Sequence, residues 1–540
     1  MTRLTRILNF RWPALVASLL FFVTGSAFVS LLGPQNDEAL FANGIFKPYA
    51  VAYTLQLGRS SLPLMLMSYL GTLKSWLYRP IFRLFGTGVT AMRLPMVLAG
   101  AAGVWLFYLL LRRVAGVRAA LIGCCLLATD TLYLLTCCFD WGPVALQHLL
   151  LLGGMLLLVE FYQVKRPWRL AWGAFLIGLG MWDKALAIWM LGGIGVGLIL
   201  VIPKQILGLF TWRRVGIAAL GFAIGALPLI VYNIAFPLAT FRGNTTWDFS
   251  DLRGKARLLR TTAEGAALFG FLNKENWQTA KPHVPQGVVE SASAKISAFF
   301  GGPRRSLLLY AFGLALLLAP LARGDALRTL LFTLVAMAVA WGQMAITANA
   351  GGSVHHAILI WPLPHMFIAI SFAAASRRLR SAGIPAVAAV VAVVMISGLL
   401  VTNEYRVQVV RNGASRDWTR AIFPLADYLQ RTPAVNIFCV DWGMVDSMRL
   451  LSRGKLPLRV GTDPISKPAY DAADREYLAR TISGKGHVFI NHTKDFEFFA
   501  DVNDKLVKFA AGIGYRREIM NVVADGNGRP VYEVYRFVAE

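Results

Sequence analysis

The sequence predicts a polytopic α-helical membrane protein with a C-terminal soluble α/β domain, and three observations predict it. The 540 residues are 56% hydrophobic and only 15% charged, with a mean hydropathy of +0.55, too apolar for a soluble multidomain chain. Apolar runs of about 17 to 25 residues recur, the length that a hydrocarbon core of about 30 Å demands of a helix. Acids are scarce in one part only: 12 Asp and Glu stand against 34 Lys and Arg before residue 404, and 17 against 20 from there on.

The first run, about 12–32, follows Arg3, Arg6 and Arg11 and lacks a small-residue cleavage site, so it reads as an uncleaved first helix with a cytoplasmic N-terminus. Residues 33–92 hold only broken apolar patches with Lys47, Arg59, Lys74, Arg79 and Arg83 among them. They predict interfacial amphipathic helices in a first outer loop, and cations on the side where loops are poor in them suggest a task such as holding a phosphate. Ten more runs, at about 94–111, 118–138, 142–161, 168–182, 185–202, 215–236, 306–322, 327–348, 355–374 and 384–403, bring the expected number of transmembrane helices to eleven. The uncertain break is Asp183-Lys184; without it, 168–202 would be a helix of over 50 Å. With it, every alternate loop is basic, from Arg112, Arg113 and Arg118 to Arg377, Arg378 and Arg380.

That parity divides the chain into a membrane domain over 1–403 and an extracytoplasmic α/β domain over 404–540. The long outer loop 237–305, with Trp247 and Trp277, reads as an ordered lid or sugar-binding surface. Beyond 404, strand-like runs at 435–440, 456–460, 487–490, 513–522 and 531–538 alternate with helical stretches near 416–431, 443–453, 470–482 and 495–510. The net charge of +25 sits mostly in clusters between apolar runs, as in loops facing anionic lipid, and no nucleic-acid motif accompanies it. The five cysteines read as small hydrophobes rather than a disulfide or metal framework.

Asp37 and Glu38 leave the lipid together in an acid-poor chain. They read equally as a solvated loop pair or as a carboxylate base beside cations that hold a leaving phosphate. Arg93 opens the second helix and alone reads as a snorkelling residue. Asp140 has the position of a helix N-cap, with Pro143 in the first turn. Asp130 lies about 15 Å deeper and must face the bundle interior or a wet cavity. Asp183-Lys184 reads as a neutralising pair. His355 and His356 diverge by about 100° on a helix, which argues against a two-histidine metal site.

Asp37-Glu38 after the first helix, Met92-Arg93-Leu94-Pro95 opening the second with Leu84-Phe85-Gly86 before it, Asp140 at the next outer turn and Lys184 at a later one resemble a known group. Over about residues 10–375 the chain is similar to the GT-C fold glycosyltransferases of the protein O-mannosyltransferase and aminoarabinose-transferase type, which use a polyprenyl-phosphate sugar donor. The resemblance implies an integral membrane glycosyltransferase that acts at the outer face with inversion, on a lipid, glycan or protein acceptor. It implies that Asp37 is the catalytic base and Glu38 its partner in orienting donor or acceptor. Arg93 and Lys184 would hold structure near, or contact, the lipid-linked phosphate, and Asp140 would line the same cavity. Where the group often carries Pro-Pro-Leu, this chain has Ser61-Leu62-Pro63-Leu64, and Lys74 becomes a candidate of its own. Arg59, His355 and His356 complete the expected donor-phosphate and substrate set. No cofactor, metal or nucleic acid is expected, and the location is the plasma (inner) membrane. A transporter, a lipid flippase or an inactive sugar-binding relative are the alternatives; transport needs polar groups through both leaflets, whereas here they gather at one end.

Overall fold

A computed structural model of the chain describes residues 12–274 and 282–540. Arg3, Arg6, Arg11 and Trp277 lie outside the described residues. Among the described residues, five helices are long and apolar enough to cross a membrane: Val89–Val114, Ala145–Val164, Asp325–Ala345, Val354–Arg378 and Ser381–Asn412. Two apolar pairs are bent, Val117–Ala128 with Thr131–Cys138 by 58° and Trp212–Gly225 with Leu227–Ala235 by 75°. Trp12–Ser26, Ala187–Val201 and Leu308–Leu321 are apolar but shorter. The chain is a multi-pass membrane protein.

The bends have local causes. Asp130 restarts the first pair by accepting a hydrogen bond from the Tyr133 amide at 2.8 Å, as an N-cap does. Its other oxygen accepts from Trp361 Nε1 at 3.0 Å and lies 3.1 Å from His365 Nε2, so this deep acid faces the bundle interior. Pro228 occupies the first turn after the second bend, where its missing N–H costs nothing. The chain does break at Asp183-Lys184: Pro167–Asp183 ends there and Ala187–Val201 begins a turn later.

Residues 33–92 depart from the expected helices. A short helix, Asn36–Ala39, leads into a three-stranded antiparallel sheet of β1 (Tyr53–Leu57), β2 (Ser60–Met67) and β3 (Leu70–Gly71). The reason is legible afterwards: Leu55 and Leu57, then Leu62, Leu64 and Leu66, alternate with period two around a turn at Gly58, whose φ is +59°. The longer helix here, Leu73–Phe85, buries Lys74, Tyr78 and Phe82 at i, i+4 and i+8. Gly71 comes so close to Trp182 that a β-carbon would strike its carbonyl, which fastens the sheet to the end of Pro167–Asp183.

The described part of 237–305 is ordered by two helices, Leu252–Ala263 and Gly287–Phe299. Lys255 donates to the carbonyls of Ala345 and Thr347 at 2.9 and 2.7 Å, closing the end of Asp325–Ala345. Ser293 bonds Asn403 at 2.6 Å and Ser297 bonds Glu404.

The helix Arg380–Asn412 runs through residue 403 without interruption. Beyond it, β4 (Asn436–Cys439), β5 (Leu458–Val460), β6 (His487–His492), β7 (Tyr515–Ala524) and β8 (Pro530–Ala539) form one mixed sheet in the order β5-β4-β6-β8-β7. β5, β4 and β6 are parallel, and β8 is antiparallel to β6 and β7. The helix Val445–Leu451, after β4, packs onto the loop that carries Asp37.

Candidate active site

Gln35 begins the short helix: its side-chain oxygen accepts from the amides of Asp37 and Glu38 at 2.6 and 3.1 Å. The helix then sends its two acids apart. Glu38 turns inward and is 1% exposed. Arg93, 0% exposed, meets it edge to edge, Nε to Oε1 and Nη2 to Oε2, both at 2.8 Å. Its other N–H groups donate to the carbonyls of Val29, Leu32 and Gly33 at 2.7 to 2.8 Å. All five guanidinium donors are used within the protein. Arg93 therefore holds structure and is not free to bind a phosphate.

Asp37 turns outward and is half-buried. Burial raises its pKa above the ordinary carboxylate value, while hydrogen bonds from Gln35 and Asn36 act to lower it. Tyr69, on the turn between β2 and β3, feels the Asp37 charge, and its phenol pKa is raised by burial and then by that charge. The carbonyl of Tyr69 accepts from the Ala185 amide at 2.9 Å, and Leu70 is bridged to Lys184. The same turn thus faces Asp37 and positions Lys184.

Lys184 is 2% exposed, and its Nζ has no hydrogen-bond partner among the described residues. Asp183 is wholly buried, and neither of its oxygens has one. Asp183 and Lys184 lie within electrostatic reach of each other, as a neutralising pair would, but no hydrogen bond or ion pair joins them among the described residues. The Lys184 backbone is fixed by Gln147 Nε2, which donates to its carbonyl at 2.8 Å.

Lys74 and Asp140 form a buried ion pair at 3.0 Å, with the ammonium 3.9 Å from the centre of the Phe41 ring. The other Asp140 oxygen accepts from the Val144 amide at 2.6 Å, so Asp140 braces the turn before Ala145–Val164. His355 packs edge-on to Trp141, its Nδ1 2.7 Å from Ser353 Oγ, and both His355 and His356 lie within electrostatic reach of Lys184. Arg59 does not share their burial: it is exposed on the hairpin turn between β1 and β2. Among the described residues no three His, Cys, Asp or Glu side chains are placed to hold a metal.

A cavity of about 790 Å³ with mainly apolar walls runs along Ala145–Val164 from His148 to Gln163, about 22 Å of helix.

Sequence reasoning missed the clamp over the loop. Asp446 accepts from Asn36 and Asn43 at 3.2 and 2.8 Å, and its amide donates to Asn36 Oδ1 at 3.1 Å. Ser447 donates to the Pro34 carbonyl at 2.9 Å. Burial raises the Asp446 pKa to about 6, with Asp37 adding to the rise. Asp417, nearby in the chain fold, is likewise raised to about 6 by burial, again with a contribution from Asp37.

Short acid-bearing loop, buried arginine, outer lysine and helical bundle together define the class: the chain has the GT-C glycosyltransferase fold. Residues 71–232 match the model of the dolichyl-phosphate-mannose-protein mannosyltransferase family. The structure is similar to ArnT from Cupriavidus metallidurans bound to undecaprenyl phosphate, at 14% identity over 96% of each chain and a TM-score of 0.57. The apo form of that protein gives a TM-score of 0.56 at the same identity and coverage. The Archaeoglobus fulgidus oligosaccharyltransferase in complex with Zn and sulfate is similar at 12% identity, over 89% of this chain and 68% of that one, with a TM-score of 0.50. No curated protein sequence matches the chain.

Proposed function

We propose that this protein is an integral membrane glycosyltransferase that moves a sugar from a polyprenyl-phosphate donor to an acceptor at the extracytoplasmic face. One observation carries the reading: Asp37, an outward carboxylate with a raised pKa on a loop fixed by Glu38 and Arg93, shares the Tyr69 turn with a buried lysine whose ammonium has no hydrogen-bond partner among the described residues. The undecaprenyl phosphate bound by the similar ArnT, and the apolar cavity along Ala145–Val164, support a lipid-linked donor.

In this mechanism the donor phosphate takes the charge of Lys184, and the polyprenyl chain lies along the apolar cavity. Asp37 accepts the proton of the acceptor hydroxyl or amine. The acceptor atom bonds to the anomeric carbon as the bond from that carbon to the phosphate oxygen breaks. The electron pair leaves on the phosphate, which the ammonium neutralises without a metal. Attack opposite the leaving group inverts the anomeric centre. The acceptor is a lipid, glycan or protein.

Eleven crossings, a cytoplasmic N-terminus and an extracytoplasmic α/β domain from 404 onward in an inner membrane complete the proposal, with 237–305 as a lid. Reporter fusions after Arg380 and after Asn412 are expected on opposite sides; the same side for both would remove the common outer face. The chemistry is tested by turnover of undecaprenyl-phosphate hexoses and pentoses on purified protein, beside direct donor binding. Asp37→Asn keeps the side-chain shape and is expected to lower turnover about 100-fold or more while donor binding survives. Wild-type turnover in that variant would show that Asp37 is not the base.

A further inference from the structure

The cations of residues 33–92 divide on the helix Leu73–Phe85. Lys74 turns into the bundle and meets Asp140, whereas Arg79 and Arg83, one turn apart, turn away from it. Arg79 is half-buried and Arg83 exposed, and neither makes a hydrogen bond, ion pair or ring contact with a described residue. With Leu62, Trp76 and Pro80 they line a cavity of about 240 Å³. Its wall is held in place: Trp76 Nε1 donates to the Pro63 carbonyl at 3.1 Å, and its ring meets Trp182 edge-on at 4.8 Å. Trp182 in turn donates to the Leu64 carbonyl at 2.9 Å.

The same helix ends in Leu84 and Phe85, 77% and 78% exposed. On a membrane protein such side chains belong among acyl chains, which sets the arginines one turn away at the level of the headgroups. Guanidinium groups at i and i+4 converge on one face and can grip the oxygens of a single phosphoryl group from two sides. An interfacial tryptophan beside them suits the boundary between headgroup and chain. We propose that Arg79, Arg83 and Trp76 form a binding site for the anionic phosphoryl headgroup of a membrane lipid, with Leu84 and Phe85 seated between its chains. The Trp76–Trp182 pair stands between this cavity and Asp183-Lys184, so the site is separate from that of the proposed donor and does not depend on the transfer reaction.

The test uses full-length protein in detergent and phosphatidylglycerol carrying a photoreactive group high in one acyl chain, with the matching phosphatidylcholine as the neutral comparison. Labelling is mapped to the peptide spanning 73–86. Phosphatidylglycerol is expected to label that peptide about ten-fold more than phosphatidylcholine. Arg79→Gln/Arg83→Gln is expected to bring it to the phosphatidylcholine level, with the thermal unfolding midpoint unchanged because neither arginine makes a hydrogen bond, ion pair or ring contact with a described residue. Arg377→Gln/Arg378→Gln, at another basic cluster, is expected to leave it alone. Equal labelling by the two lipids, or a preference that persists in the Arg79/Arg83 variant, would overturn the site. Loss of labelling to millimolar inorganic phosphate at constant ionic strength would overturn the lipid as its source.

Discussion

Glu38–Arg93 and Asp183–Lys184 are both acid–base couples buried at the same end of the bundle, and they are built in opposite ways. In the first, two ion-pair contacts and three carbonyls satisfy every guanidinium donor. In the second, the ammonium and both carboxylate oxygens have no hydrogen-bond partner among the described residues. A buried charge without a partner is costly, and it persists where something else pairs with it in use. The completed couple belongs to the scaffold, and the incomplete one is where the proposed donor phosphate would find a counter-charge.

The strongest way to break this distinction is to remove one member of each. Arg93→Ala strands the Glu38 carboxylate and is expected to cost about 3 to 5 kcal/mol of stability, read by thermal unfolding in detergent. Lys184→Ala is expected to change stability by less than about 1 kcal/mol, since its ammonium makes no hydrogen bond to a described residue, yet to weaken donor binding roughly 30-fold for the loss of one charge-assisted hydrogen bond. If both variants unfolded alike and donor affinity were untouched in Lys184→Ala, the two couples would be the same kind of object.

How much of this was legible in the sequence depends on how far apart the partners lie. The apolar runs, the break at Asp183-Lys184 and the scarcity of acids around Asp37-Glu38 are local signals, and they located the bundle and the residues gathered at one end of it. The hairpin at 53–67 was equally local, but it was masked because the broken apolar patches and the basic residues among them suggested interfacial helices. Arg93 lay in view as part of a motif, yet its occupation by Glu38 and three carbonyls is a matter of tertiary geometry. Asp446 carries no signal of its own; it matters only because a helix from the far end of the chain lands on Asn36 and Asn43.

That contact sharpens the comparison at a smaller scale. Asp446→Ala is expected to reduce turnover about ten-fold, equivalent to ~1.4 kcal/mol on the barrier, with donor affinity unchanged, because it loosens the loop that carries Asp37 and leaves Lys184 alone. Equal losses in turnover and donor affinity would place Asp446 with the second couple instead.

The smallest effect concerns pH. Asp37 must be ionised to accept a proton, so turnover is expected to rise with pH through a midpoint above the ordinary aspartate value, as burial raises it. Gln35→Ala removes a hydrogen bond that favours the carboxylate, so the rising limb moves to higher pH. The missing cap also costs about 1 kcal/mol. A limb that moved to lower pH in a full pH–rate profile would show that another group controls it.

The clamp on the loop has a consequence for how the protein is made. Ser447 and Pro34 are separated by 413 positions. At about 5 to 20 residues per second, ribosomes need roughly 20 to 80 s to supply the second after the first. During that interval the carboxylate loop already stands outside the first helix but has nothing to close it. A nascent chain therefore carries the Asp37 loop unclamped until Val445–Leu451 arrives, and a chain that ends before that helix is expected to insert with the loop open.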